Sequence, residues 1–135
     1  MMKIFLFFIL AVALNAVEYA VIANKKLDNY SFSKAKIKMI FLKKHKILNG
    51  TELVPINLES ANSIRNSFES NVLNMSKNRI KSFWTKEHYL GHRPPLSVKS
   101  SKSVLSFVRK IDGAIGYVLL SDADESVNVI YKWSE

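Results

Sequence analysis

The chain has 135 residues, no cysteine, a formal net charge of +9 and 48% hydrophobic residues. That length suits one domain around one core, and the absence of thiols excludes a disulfide framework and a thiolate metal site. The basic balance admits nucleic acid, anionic lipid or small anions as partners.

Residues 1–16, MMKIFLFFILAVALNA, place Lys3 ahead of an apolar run from Ile4 to Leu14, followed by small residues. This is the layout of a secretory signal peptide, with cleavage expected after Ala16. The run is about half of the roughly 20 residues that a transmembrane helix needs; an uncleaved N-terminal anchor is the alternative. The expected organisation is a signal peptide at 1–16 and one exported domain at 17–135. An exported domain without disulfides relies on its hydrophobic core, which fits a bacterial periplasm. Export argues against a nucleic-acid partner. The densest lysine run, Lys34 to Lys46, alternates with apolar residues and reads as a solvated helix face.

Residues 18–24, EYAVIAN, are apolar and β-prone and predict a buried strand. A helix follows, with Ser33 as N-cap, Phe32 as staple, and Ile37, Ile40 and Phe41 as its inward stripe. Asn49-Gly50 marks a turn. LVPINL, residues 53–58, predicts a strand, with Pro55 at its edge or start. The next helix is expected to begin near Ser60 and to bury Ile64, Phe68, Val72 and Leu73. Another begins after Ser76, buries Ile80, Phe83 and Trp84, and stops before Gly91. Pro94-Pro95 enforces an extended segment. A last helix turns Val104, Leu105 and Val108 inward and is expected to end at Gly113. Strands at 114–120 and 127–133 close the chain. The order β-α-β-α-α-α-β-β predicts an α/β fold: a three-layer α/β/α sandwich around a small mixed sheet.

Enzyme signatures are missing: there is no GxSxG, Walker loop or GxGxxG. Glu87, His88 and His92 resemble a zinc helix only superficially, because Gly91 and Pro94 end the helix between or just beyond them. Asp122, Asp124 and Glu125 cluster without the glycine that a calcium loop needs. No metal and no cofactor is expected. The best candidate site is the stretch SANSIR. A helix N-terminus offers unpaired N–H groups and the positive end of the dipole. Ser60, Asn62 and Ser63 add polar donors there, and Arg65 adds a bidentate fork. The competing account is an ordinary capped helix with an exposed arginine.

Several pieces occur together in one order: IFL at 40–42, the Asn49-Gly50 turn, a helix start with Arg65 and Phe68, the RPP segment, and GAIGYV at 113–118. In this the chain resembles the short phosphate ABC-transporter substrate-binding proteins of the type II periplasmic binding protein superfamily, over roughly residues 19–133. It departs from their pattern at Lys43, Ile47 and Ala61-Asn62, where they carry Gly, Trp and a Gly-Ser pair. The resemblance implies one lobe of a normally two-lobed fold, with no enzymatic activity. It implies a periplasmic protein that binds phosphate or a related small oxyanion at the helix start formed by Ser60, Asn62, Ser63 and Arg65. Its partners would then be an ABC transporter membrane component, or a second lobe or copy that supplies the missing wall. A ligand-free module that docks on a membrane or periplasmic protein is the alternative.

Overall fold

The computed structural model describes residues 16–27 and 31–135. The expected signal peptide lies outside the described residues, apart from Ala16. The order of elements is β1 (Glu18–Ala23), α1 (Lys34–Phe41), β2 (Ile47–Leu48), β3 (Thr51–Glu52), β4 (Val54–Leu58), α2 (Ser63–Phe68), a π-helical segment (Glu69–Leu73), α3 (Lys77–Tyr89), β5 (Leu96–Val98), α4 (Ser101–Lys110), β6 (Ala114–Leu119), a 3-10 turn (Leu120–Asp122) and β7 (Asn128–Ser134).

Five strands form one mixed sheet in the order β5-β4-β6-β1-β7. β4 runs parallel to both β5 and β6, whereas β1 is antiparallel to β6 and β7. Two helical layers cover the sheet. On one face lies α4, which buries Val104, Leu105 and Val108; the Val104 side chain sits over Gly116 of β6. Successive strand residues point to opposite faces, so Tyr117 points the other way. There its ring stacks on Phe68 of α2 at 4.0 Å between centroids, and Phe41 of α1 packs edge-on to Phe68 at 4.7 Å. The expected three-layer α/β/α sandwich with a mixed sheet is thus the observed one.

Three helices start on a serine whose hydroxyl accepts a main-chain N–H: Ser33 from Lys36, Ser76 from Arg79 and Ser100 from Ser103. Each cap satisfies one of the donors that a helix start leaves open. At the far end of α4, the buried Asn24 side chain donates to the carbonyls of Val108 (2.8 Å) and Arg109 (3.1 Å). Trp133 Nε1 donates to Ser67 Oγ at 3.0 Å and ties β7 to α2.

Several boundaries differ from expectation. The second helix begins at Ser63 with Asn62 as its cap, not near Ser60: Asn62 Oδ1 accepts from Ile64 N at 2.9 Å. Pro55 stands near the start of β4, but β4 is flanked by β5 and β6 and is not an edge strand. The short β5 follows the two prolines and itself forms the edge. The Asn49-Gly50 turn, with φ of 49° and 79°, joins the two-residue strands β2 and β3. Gly113 does not end α4, which stops at Lys110. It is instead the point where the chain passes β3: a Cβ there would lie 1.7 Å from the Glu52 carbonyl oxygen.

Candidate functional site

A cleft of about 400 Å³ opens beside the C-terminal ends of the parallel strands β4 and β5. Open α/β sheets commonly bind ligands at that end of their strands. Asn57 of β4 and Ser97 of β5 contribute from the sheet, Ser60 from the following loop, and Arg65 and Glu69 from the helix behind it. Lys77 and Lys81 reach in from α3, with Trp84 and Pro94 as apolar wall.

The charged groups form a connected cluster. Arg65 donates through Nη1 to the Leu58 carbonyl (2.8 Å) and through Nε to Glu69 Oε2 (3.1 Å). Lys77 Nζ donates to Glu69 Oε1 (2.5 Å) and to the Ser60 carbonyl (2.9 Å). Glu69 is 4% exposed, so its charge requires both partners. Arg65 and Glu69 are four residues apart and share a helix face. Lys77 reaches Glu69 because the helix widens into a π turn at Glu69 and then stops at Asn74, which has φ of 52°. Such π segments recur at functional sites. The lining holds three cations, Arg65, Lys77 and Lys81, against the single carboxylate of Glu69, a local charge of +2.

The structure brings two of the four residues expected from the sequence to this cleft. Ser60 and Arg65 line it, while Asn62 caps α2 and Ser63 opens that helix, and neither is part of the lining. Asn57, Glu69, Lys77 and Ser97 were missed. The Arg65–Glu69 spacing was visible as an i, i+4 pair, whereas the reach of Lys77 depends on the π turn, which no simple periodicity announces.

Beneath the floor lies Tyr117, which is fully buried. Its hydroxyl accepts from Leu58 N at 3.2 Å and donates to Asn57 Oδ1 at 2.8 Å. Burial pushes the phenol well above its ordinary range, against smaller opposing effects of the Leu58 hydrogen bond and the Arg65 charge.

A second hollow of about 530 Å³ lies on the other side of Trp84. Lys43, Lys44, Lys46 and Arg93 line it, together with Glu52, Glu87 and His92. α3 ends at Tyr89, and Gly91 (φ 81°) turns the chain so that His92 Nδ1 meets Glu87 Oε2. His88 and His92 therefore do not share a helical face. Among the described residues, no three His, Asp or Glu side chains gather as a metal site would require. In the acidic loop, Asp124 binds the main-chain N–H and hydroxyl of Ser126 and the Arg109 guanidinium. These bonds, Ser126 first, hold its carboxyl below the usual range.

No known protein-family model matches the chain, and no curated protein matches it in sequence. Its fold does match solved structures. It is similar to an ABC-type phosphate transport receptor from Vibrio cholerae, with a TM-score of 0.69 and 17% identity over 85% of this chain and 46% of that one. It is also similar to a protein from Clostridium perfringens described as a phosphate ABC transporter substrate-binding protein, with bound phosphate (TM-score 0.68, 19% identity, 85% and 44% coverage). A third similar structure is PstS from Borrelia burgdorferi (TM-score 0.65, 16% identity, 85% and 47% coverage). The chain spans less than half the length of each of these proteins. Over 85% of its length, its fold is that of about half of each of these proteins.

Proposed function

We propose that this protein is an exported, periplasmic solute-binding lobe that takes phosphate or a related small oxyanion in the cleft beside β4 and β5, in the service of ABC-type phosphate uptake. The observation that carries this reading is the convergence of Ser60, Arg65 and Lys77 in a net-positive cleft at the carboxyl ends of parallel strands. Asn62 and Ser63, the other two donors expected from the sequence, stand at the start of α2 outside the cleft lining, so this reading rests on the residues that line it. Charge-assisted hydrogen bonds from such groups are the usual means of holding an oxyanion. The fold shared with phosphate receptors supports this reading.

Thermal unfolding in millimolar phosphate, sulfate and chloride tests it. A ligand that binds only the folded state raises the midpoint by mass action. Phosphate is expected to raise it more than chloride at equal ionic strength. Replacement of Lys77, whose side chain is half exposed, is expected to remove the difference. Lys77→Met serves better here than Arg65→Ala, because the Lys77 side chain is half exposed whereas that of Arg65 is largely buried.

A second reading has its own support. Glu69 already engages both Arg65 and Lys77, and Tyr89, Leu90 and Leu96 are large apolar side chains left exposed. A ligand-free module that docks on a protein partner would use the same fold with the ion cluster as a structural clamp. Equal shifts with all three salts favour this second reading.

A further inference from the structure

The phenol of Tyr117 has one proton and two hydrogen-bond neighbours. Leu58 N–H can only donate, so the hydroxyl accepts there. Its proton must then go to an acceptor, since a buried hydroxyl proton without a partner is costly. The other neighbour is the Asn57 side chain, 2.8 Å away. The atom facing Tyr117 is therefore the Asn57 carbonyl oxygen and not its nitrogen. Burial strengthens this assignment, because it keeps the phenol protonated.

The consequence is on the opposite side of the amide. Among the described residues, Asn57 Nδ2 makes no hydrogen bond to protein, and no buried side-chain N or O atom lacks a partner. The Nδ2 group is thus open, and Asn57 lines the cleft with Ser60, Arg65 and Lys77. Those two cations already spend donors on Glu69 and on main-chain carbonyls. Asn57 presents an NH₂ group with no such commitment.

We infer that Asn57 is an oxyanion ligand of this cleft, and that Tyr117 is the positioning residue that fixes its amide with the N–H groups toward the ligand. The inference rests on the oxyanion reading of the cleft and adds to it a neutral donor on the sheet. A carboxylate at this position would meet the anion with like charge.

Titration calorimetry with inorganic phosphate tests the ligand role on the purified protein. Asn57→Ala is expected to weaken binding about tenfold or more, the scale of a hydrogen bond to a charged group, and Asn57→Asp to weaken it further. Tyr117→Phe keeps the ring but frees the amide to rotate, and is expected to weaken binding less than Asn57→Ala does. Phosphate binding by the wild type that is unchanged in Asn57→Ala overturns the ligand role. No phosphate binding by the wild type overturns the oxyanion reading, and the ligand role with it. The positioning role has a separate readout in nuclear Overhauser contacts of the Asn57 Nδ2 protons. Contacts to the Ser60 and Lys77 side chains, lost in Tyr117→Phe, support it; contacts to the Tyr117 ring edge beside the hydroxyl overturn it.

Discussion

Glu69 concentrates the conflict between folding and binding in one side chain. It is a nearly buried carboxylate held by Arg65 and Lys77. Glu69→Gln leaves both cations without their anion. Removing one partner of a fully buried pair costs about 3–5 kcal/mol, and the half-exposed Lys77 lowers the expectation here to about 2 kcal/mol. Urea unfolding measures that loss. The same substitution releases positive charge into the cleft, so phosphate is expected to bind Glu69→Gln more tightly than wild type and to restore part of the lost stability. Tyr117 gives a second prediction at this scale. Its phenol pKa is raised by folding, so the neutral form stabilises the fold fully below the ordinary value of 10.0. That contribution is lost as pH rises above this value toward the raised one. Wild type is therefore expected to lose stability above about pH 10, and Tyr117→Phe to lose less over the same range, as read by unfolding at stepped pH.

At the scale of elements, the GAIGYV segment shows why a motif can be legible while its reason is not. The segment was readable as a buried strand from its apolar run, and β6 is that strand. The requirement for its two glycines comes from elements distant in sequence. Gly113 passes the main chain of Glu52, and Gly116 sits under Val104 of α4, where a Cβ would lie 2.5 Å from Val104 Cγ1. Gly116→Ala meets a side chain that can shift, with an expected cost of about 1–3 kcal/mol. Gly113→Ala meets main chain that cannot shift without breaking the Val54 N to Gly113 carbonyl bond, so its loss is expected to be the larger. Thermal unfolding of the two variants checks the order. The serine caps at Ser33 and Ser76 were legible for the same reason that the glycines were not: a cap acts within three residues. The candidate site divides along the same line. Ser60 and Arg65 stood out locally, whereas Asn57 gains its role from Tyr117, sixty residues away.

For the whole molecule, the affinity at issue is what the cleft lining of the described residues supplies by itself. The chain matches less than half the length of the phosphate receptors whose fold it shares. That lining by itself offers three or four hydrogen bonds to a charged ligand, each worth about 1.5–3 kcal/mol. Lost rigid-body freedom opposes them by about 4 kcal/mol or more, and desolvation of Arg65, Lys77 and the anion adds to that. The net is about −4 kcal/mol, or a Kd of about 1 mM. An oxyanion bound by this lining alone also remains in contact with solvent, so its attraction to a chain of net charge +9 is screened by salt. Phosphate affinity is therefore expected to fall as sodium chloride is raised, and to be independent of protein concentration. Titrations at two protein concentrations, with sedimentation velocity on the same samples, measure both effects. A Kd in the micromolar range that tightens with protein concentration, together with a dimer in sedimentation, would mean that a second copy supplies the facing wall. In that case the +2 lining of each cleft would face its own like charge, and the oxyanion between them would be the group that makes the assembly stable.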